Sequence, residues 1–168
     1  MIRLLPITAA VVQSLADSDE FARVAGTGQG EVSSLVRDVV VQGEVHRAKT
    51  GAPEEWGGFL AIDDTRHEVV GTCAFTAAPD AAGEVEIAYY TFPPFEGQGH
   101  GSAMAGALLA HAAALGAVRL VYAYTLMEVN ASTRILAKHG FTQVGTAQDH
   151  EAGLVWRWER LLLAAPRT

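Results

Sequence analysis

Cysteine occurs once in this 168-residue chain, at Cys73, so no disulfide can close within it. That scarcity fits a reducing compartment, and the expected location is cytoplasmic. No apolar run is long enough to cross a bilayer, and Met1-Ile2-Arg3-Leu4-Leu5-Pro6 has no signal-peptide pattern, so no membrane is expected as a partner. Blocks of like charge, low-complexity tracts and internal repeats are absent as well, which excludes a disordered tail or a solenoid as the organising principle. Basic residues are few: 12 Lys and Arg stand against 19 Asp and Glu, for a formal charge of −7. This balance argues against nucleic acid as a partner and favours a cationic small substrate. The six histidines do not fall at zinc-ligand spacing, and no metal is expected.

What the chain has is apolar mass: 49% hydrophobic residues over 168 positions support one domain, residues 1–168, with a sizeable core. Residues 2–5 suit a short strand, and Thr8 can cap a helix through Val11, Val12 and Leu15. Asp17-Ser18-Asp19-Glu20 reads as a short turn, Gly26-Thr27-Gly28-Gln29-Gly30 as a mobile connection flanking a cleft, and Ser33 or Ser34 as the cap of a further helix. The pattern then changes to strands at 58–62, 69–75 and 84–92, the first two forming a hairpin around Asp63-Asp64-Thr65. A helix carrying Met104, Leu108, Ala112 and Leu115 follows, then a buried strand at 118–124 that should run parallel to the one before that helix. Asn130 can cap a helix ending at His139-Gly140, and strands at 141–146 and 154–158 close a second hairpin. Leu154, Trp156 and Trp158 alternate onto one face that reads as core, and the tail 164–168 reads as frayed.

The stretch on which this order turns is Tyr89-Tyr90-Thr91-Phe92-Pro93-Pro94-Phe95-Glu96-Gly97-Gln98-Gly99-His100-Gly101-Ser102, a strand entering a helix through three alternate glycines. Missing Cβ atoms let a ligand approach the backbone, and the first N–H groups of the helix favour an anion. Taken alone, the turn suits either a flexible connection or a phosphate site. A dinucleotide register from Gly97 would put Ser102 where the third glycine belongs, and no Gly-Lys-Ser/Thr of a triphosphate loop is present.

The whole order resembles the GNAT superfamily of acetyl-coenzyme A-dependent N-acetyltransferases. Two motifs carry the resemblance: Glu96-Gly97-Gln98-Gly99-His100-Gly101, against a family pattern Gln/Arg-x-x-Gly-x-Gly/Ala, and Asn130-Ala131-Ser132-Thr133-Arg134-Ile135-Leu136-Ala137-Lys138-His139-Gly140-Phe141, similar to the family's Asn/Ser helix ending in Gly-Phe. With Gly153-Leu154-Val155-Trp156-Arg157-Trp158-Glu159, the chain is most similar to the branch of ribosomal-protein N-terminal (alanine or serine) acetyltransferases. The resemblance implies an α/β (α+β) fold, with a mixed, strongly twisted sheet of about seven strands and helices on both faces. Three positions depart from the pattern. Glu96 replaces the first Gln/Arg, Asn130 stands one residue nearer the serine than in many relatives, and Leu136 occupies a position where many relatives carry a tyrosine general acid.

By this resemblance acetyl-coenzyme A is the co-substrate, and the acceptor amine attacks its thioester directly. Gly97, Gln98, Gly99, His100, Gly101 and Ser102 would receive the pyrophosphate on backbone N–H groups. Tyr90, Thr91 and Phe92 would pair with the pantetheine and polarise the thioester carbonyl where the neighbouring parallel strand splays away. Asn130 would contact the pantetheine, and Arg134 or Lys138 would either meet the outer phosphate or form a solvated helix face. Ser132 is the candidate for protonating the thiolate, or else a helix-start residue satisfying backbone groups. Glu84 and Glu86 alternate onto one strand face, and Glu86, nearer the reaction, is the candidate base, directly or through water. Cys73 reads as a buried strand residue rather than a nucleophile.

An α-amine with a pKa of about 7.7–8.0 is roughly a tenth neutral at pH 7, against about one lysine in 2,500. The expected acceptor is therefore a peptide or protein N-terminus or a small-molecule amine of lowered pKa. The aromatic and small-residue faces are compatible with a homodimer. A reading from another class is a non-catalytic acyl-coenzyme A-sensing module, encouraged by Glu96 and Leu136.

Overall fold

Alternation decides which strands lie deep. In β2 (Gly58–Asp63) every residue after the first is buried, and in β3 (Glu68–Phe75) most are, which requires cover on both faces. These two central strands pair antiparallel with each other, and β1 (Ile2–Pro6) closes their outer side. The computed structural model describes residues 1–162, so the tail 164–168 lies outside the described residues. β4 (Glu84–Thr91) continues the antiparallel set, and β5 (Leu120–Thr125) joins it in parallel. β7 (Gly153–Leu161) and β6 (Thr142–Asp149) complete a mixed seven-stranded sheet in the order β1-β2-β3-β4-β5-β7-β6.

The helices fill the sheet's two sides. α1 (Ala9–Ser14) is capped by Thr8, as its sequence predicts, and α3 (Ser33–Thr50) packs on β3. α4 (His100–Leu115) covers the face carrying Phe59 and Phe75, whose rings meet His111 edge-on or tilted at 5.3 and 5.5 Å. The core is continuous, with Phe21, Phe59, Phe75, Phe92, Met104 and Leu108 among its fully buried side chains. β4 marks the change: Val85 and Ile87 are buried, whereas Glu84, Glu86, Ala88 and Tyr90, on the other face, are partly or fully exposed. One side of β4 is therefore core and the other opens as a cleft.

Several local readings are corrected. The stretch from Asp17 is a helix, α2 (Ser18–Ala25), because Asp17 accepts the N–H groups of Asp19 and Glu20 and Phe21 and Ala25 find the core. Neither Ser33 nor Ser34 caps α3; a 3-10 turn at Gly30–Val32 leads straight into it. Leu154 is not core: it is 58% exposed, because it lies in the hairpin tip beyond Trp156, where the pairing of β7 with β5 ends. Val155, on the opposite face, is buried instead, and only Trp158 of the alternating set packs against the core.

Two close fits hold the elements beside the glycine turn. A Cβ on Gly71 would lie 2.4 Å from the Tyr90 carbonyl oxygen and 3.1 Å from Met104 Cε, so β3, β4 and α4 converge on a position with no side chain. α5 (Ala131–Lys138) begins with a capping box, in which Asn130 Oδ1 accepts the Thr133 N–H at 3.0 Å and Thr133 Oγ1 accepts the Asn130 N–H at 2.9 Å. Gly71→Ala is expected to destabilise the chain by about 1–3 kcal/mol through overpacking against backbone. Asn130→Ala should cost about 1 kcal/mol through the lost cap. Urea midpoints check both, and an unchanged midpoint for Gly71→Ala would contradict the convergence described.

Candidate active site

The site begins where two strands part. β4 and β5 pair only through Glu84, Val85 and Glu86 with Leu120, Val121 and Tyr122; among the described residues the ladder goes no further. Past Glu86 the strands diverge, as expected from the resemblance, and the gap opens into cavities. A groove of about 600 Å³ runs from Tyr89, Tyr90 and Thr91 along the glycine turn to the start of α5. A narrow throat of about 110 Å³ lies between the diverging strands, bounded by Glu86, Ile87, Ala88, Tyr89, Ala123, Tyr124, Ser132 and Leu136. Tyr89 and Ser132 border both spaces, so they flank the passage from one to the other.

At the turn the glycines serve two different ends. Gly97 and Gly99 have φ of 73° and 84°, a left-handed backbone that disfavours other residues, while Cβ atoms added there would meet open space. Gly101 has ordinary φ but stands under α5: its Cβ would come within 2.9 Å of Ile135 Cδ1. The first bond of α4 runs from the Ala103 N–H to the Gly99 carbonyl at 3.1 Å, so the preceding helix-start N–H groups face outward in the manner of an anion cradle.

Of the predicted ligand-binding residues, Tyr90, Thr91, Gly97, Gly99, His100, Gly101, Ser102 and Arg134 line the groove. Phe92 does not: its side chain is fully buried and its N–H is bonded to the Val70 carbonyl. Gln98 points away and accepts from Arg66, whose guanidinium also pairs with Glu68 at 3.0 Å and sits 5.8 Å from the Phe95 ring centroid. A cation thus stands beside the turn although Glu96 supplies none, and no local pattern could have announced it. Asn130 borders a neighbouring cavity and its Oδ1 is engaged in the cap. The Ser102 hydroxyl lies 3.0 Å from His139 Nε2, which is also 2.8 Å from the Ser102 carbonyl, fastening α4 to the end of α5. His100 is buried against Phe95, and its Nε2 is the one buried side-chain nitrogen or oxygen without a partner among the described residues.

The two candidate bases separate cleanly. Glu84 is paired with Arg119 at 3.3 Å and with Arg157 at 3.9 Å. Glu86 instead borders the throat and accepts one bond, from Thr76 Oγ1 at 3.0 Å. Burial pushes its carboxyl up; the Thr76 bond and the charges of Arg157 and His46 oppose the rise, and Asp149 adds to it. Arg157 lies over Tyr122, 4.0 Å from the ring centroid, and donates to the Tyr124 hydroxyl at 3.2 Å and to Glu159 at 2.8 Å. The open face therefore carries carboxylates, and the two guanidiniums beside it, Arg119 and Arg157, are already committed to partners.

Two residues given no site role by the motifs, Leu136 and Tyr89, complete the throat. Leu136, on α5, is fully buried and makes its wall apolar. Tyr89, on the face of β4 opposite Glu86, donates its hydroxyl to the Ser132 carbonyl at 3.4 Å, and burial pushes its pKa up to about 12. Strand alternation gives Tyr89 its direction, but only the position of α5 gives it a partner. Cys73 is buried in β3 with its thiol pushed up to about 12, which removes it as a nucleophile. Among the described residues no three His, Cys, Asp or Glu side chains gather as a metal would require, and no helix is long and apolar enough to cross a membrane.

Comparison with known proteins now bears on this arrangement. RimL, a ribosomal L7/L12 α-N-protein acetyltransferase solved in complex with coenzyme A, superposes with a TM-score of 0.68 at 19% identity, covering 98% of this chain and 96% of its own. The ribosomal-protein-S5-alanine acetyltransferase of Vibrio fischeri gives 0.63 at 13% identity, with 95% and 91% covered. The microcin C7 self-immunity acetyltransferase MccE, solved with acetyl-CoA and AMP, gives 0.65 at 14%, with 96% and 92% covered. No protein of curated function matches the chain by sequence. Residues 8–142 match the acetyltransferase (GNAT) domain family, and since that span holds both motifs and most of the sheet, the chain belongs to the GNAT acetyltransferases.

Proposed function

We propose that this chain is a single-domain, cytoplasmic N-acetyltransferase that moves an acetyl group from acetyl-coenzyme A to a primary amine by direct attack within a ternary complex. The observation that carries the reading is the throat between β4 and β5, which joins a groove ending in helix-start N–H groups to a half-buried carboxylate, Glu86. The residues fit the donor: an outward-facing N-terminus on α4, left-handed glycines that expose it, and the exposed edge of β4 beyond Glu86. Acetyl-coenzyme A supplies the acyl group as a thioester. Tyr90, Thr91, Gly97, Gly99, His100, Gly101 and Ser102 would hold it, Gln98 acting through the backbone of the turn, with Asn130 and Arg134 at the start of α5.

Glu86 takes the acceptor's proton, directly or through water, and Ser132 presents its hydroxyl where the sulfur departs. The acceptor enters over the open face beside Glu86 and Asp149, whose negative charge suits an amine. A peptide or protein N-terminus needs the weakest base, and the same holds for a small amine of lowered pKa. The RimL and Vibrio fischeri enzymes, acting on ribosomal proteins by their descriptions, favour the first. The small-residue and aromatic surface leaves room for a homodimer. A second reading, an acyl-coenzyme A-binding module without turnover, draws on Leu136, buried where a tyrosine acid is expected.

Coenzyme A at a hundredfold excess over its Kd should stabilise the fold by about 2.7 kcal/mol, a rise in Tm of roughly 5–10 °C; no rise at millimolar coenzyme A would remove both readings. Thiol release from acetyl-coenzyme A with a panel of peptides and amines then separates them, since only the enzyme turns over. Glu86→Gln should lower kcat about a hundredfold or more while leaving coenzyme A binding intact. The pH dependence has a definite sign. Because burial raises the Glu86 pKa, the ionised, working form disappears as pH falls, starting above the ordinary carboxylate range, so kcat/KM should drop on the acid side and Glu86→Gln should abolish that limb. The same burial disfavours the ionised carboxylate in the fold: the penalty is absent at low pH, where Glu86 is neutral folded or unfolded, and complete above its raised pKa. Glu86→Gln should therefore compare more favourably with the parent in melts at pH 7 than at pH 4.

A further inference from the structure

A departing thiolate in a narrow throat needs a hydrogen-bond donor, and the side chains there leave few choices. Ile87, Ala88, Ala123 and Leu136 offer none, Glu86 is an acceptor when ionised, and the Ser132 hydroxyl is the one donor already assigned to the sulfur, so the question is whether a second stands beside it. The Tyr124 hydroxyl accepts from the Arg157 guanidinium at 3.2 Å, which ties it to the face of the open cleft, and it borders the throat but not the groove. Tyr89 differs. It borders both the groove and the throat, its ring is largely buried, and its O–H meets only the Ser132 carbonyl, at 3.4 Å. That distance is beyond the usual range for an O–H···O bond, so the donor is held in position without being well satisfied.

We propose that the Tyr89 hydroxyl donates a hydrogen bond to the coenzyme A sulfur as the carbon–sulfur bond breaks, exchanging its long bond to Ser132 for a charged acceptor. The proposal rests on the acetyltransferase reading above. The amine nitrogen bonds to the thioester carbon, and its proton passes to Glu86 and on to solvent. The carbon–sulfur bond then breaks with its electron pair on sulfur, and the thiolate takes a proton from solvent after release. Tyr89 keeps its own proton throughout: a phenol held at about 12 does not surrender it to a thiolate whose conjugate thiol has an ordinary pKa of about 8.5. It is a hydrogen-bond donor to developing charge, set on the face of β4 opposite the base.

The test uses coenzyme A alone as the probe. The thiolate absorbance of bound coenzyme A is titrated for the parent chain and for Tyr89→Phe, each blanked against its complex with desulfo-coenzyme A. Loss of the hydroxyl should reduce the bound thiolate fraction about tenfold at a given pH below the thiol pKa, and slow acetyl transfer by about tenfold or more, as expected for a lost bond to a charged group. Affinity for the protonated thiol should not change. Equal thiolate fractions in the two proteins would overturn the proposal while leaving the acetyltransferase reading intact, and a lowered Tm with no change in thiolate fraction would reduce Tyr89 to a tether between β4 and α5. Failure of the parent chain to bind coenzyme A would overturn both.

Discussion

Everything at this site depends on a parallel ladder that stops after three residue pairs. Had β4 and β5 stayed paired to their ends, the backbone groups past Glu86 would be satisfied within the sheet and no throat would exist. The divergence exposes a strand edge, usually a liability in a sheet. Here it is confined by α5 on one side and by the β5–β7 pairing on the other, which continues through Trp156 and keeps β5 anchored after it leaves β4. The sheet opens locally without losing continuity.

Local chemistry was the legible part. Asn130 and Thr133 form a capping box because both partners lie within one turn, and the left-handed backbone of Gly97 and Gly99 follows from two glycines in a tight connection. The strand alternation that put Glu84 and Glu86 on one face survived folding unchanged. Misreadings arose where a second element decides. Leu154 looks apolar enough for core, but β5 ends before reaching it. The serines that open α3 look like caps, but a 3-10 turn already supplies the helix with a preceding turn. Gly101 was expected to clear space for a ligand, whereas its missing Cβ makes room for Ile135.

The site residues divide along the same line. Glu86 and Ser132 could be proposed from motif and alternation, with Glu86 preferred over Glu84 as the nearer to the reaction. The physical difference between the two carboxylates lies in ion pairs that Arg119 and Arg157 make with Glu84, reaching the strand from elsewhere in the chain. Arg66 beside the glycine turn, and Tyr89 against the start of α5, are likewise products of tertiary structure: each meets its partner across a separation of more than thirty residues. A carboxylate left unpaired among committed neighbours is a more informative signal than a carboxylate as such, and it becomes visible only when those neighbours are in place.

The alternation along β4 also sets a rule of parity. Glu86 and Tyr89 are separated by an odd step, so they emerge on opposite sides of one strand, the first toward the open cleft and the second toward α5. Inserting or deleting a single residue between them would bring both to the same side, whatever amino acid was involved. Length, rather than identity, is thus the stricter requirement on the segment Ile87-Ala88: its two side chains can vary within the space available, but their number cannot change by one without emptying one wall of the throat.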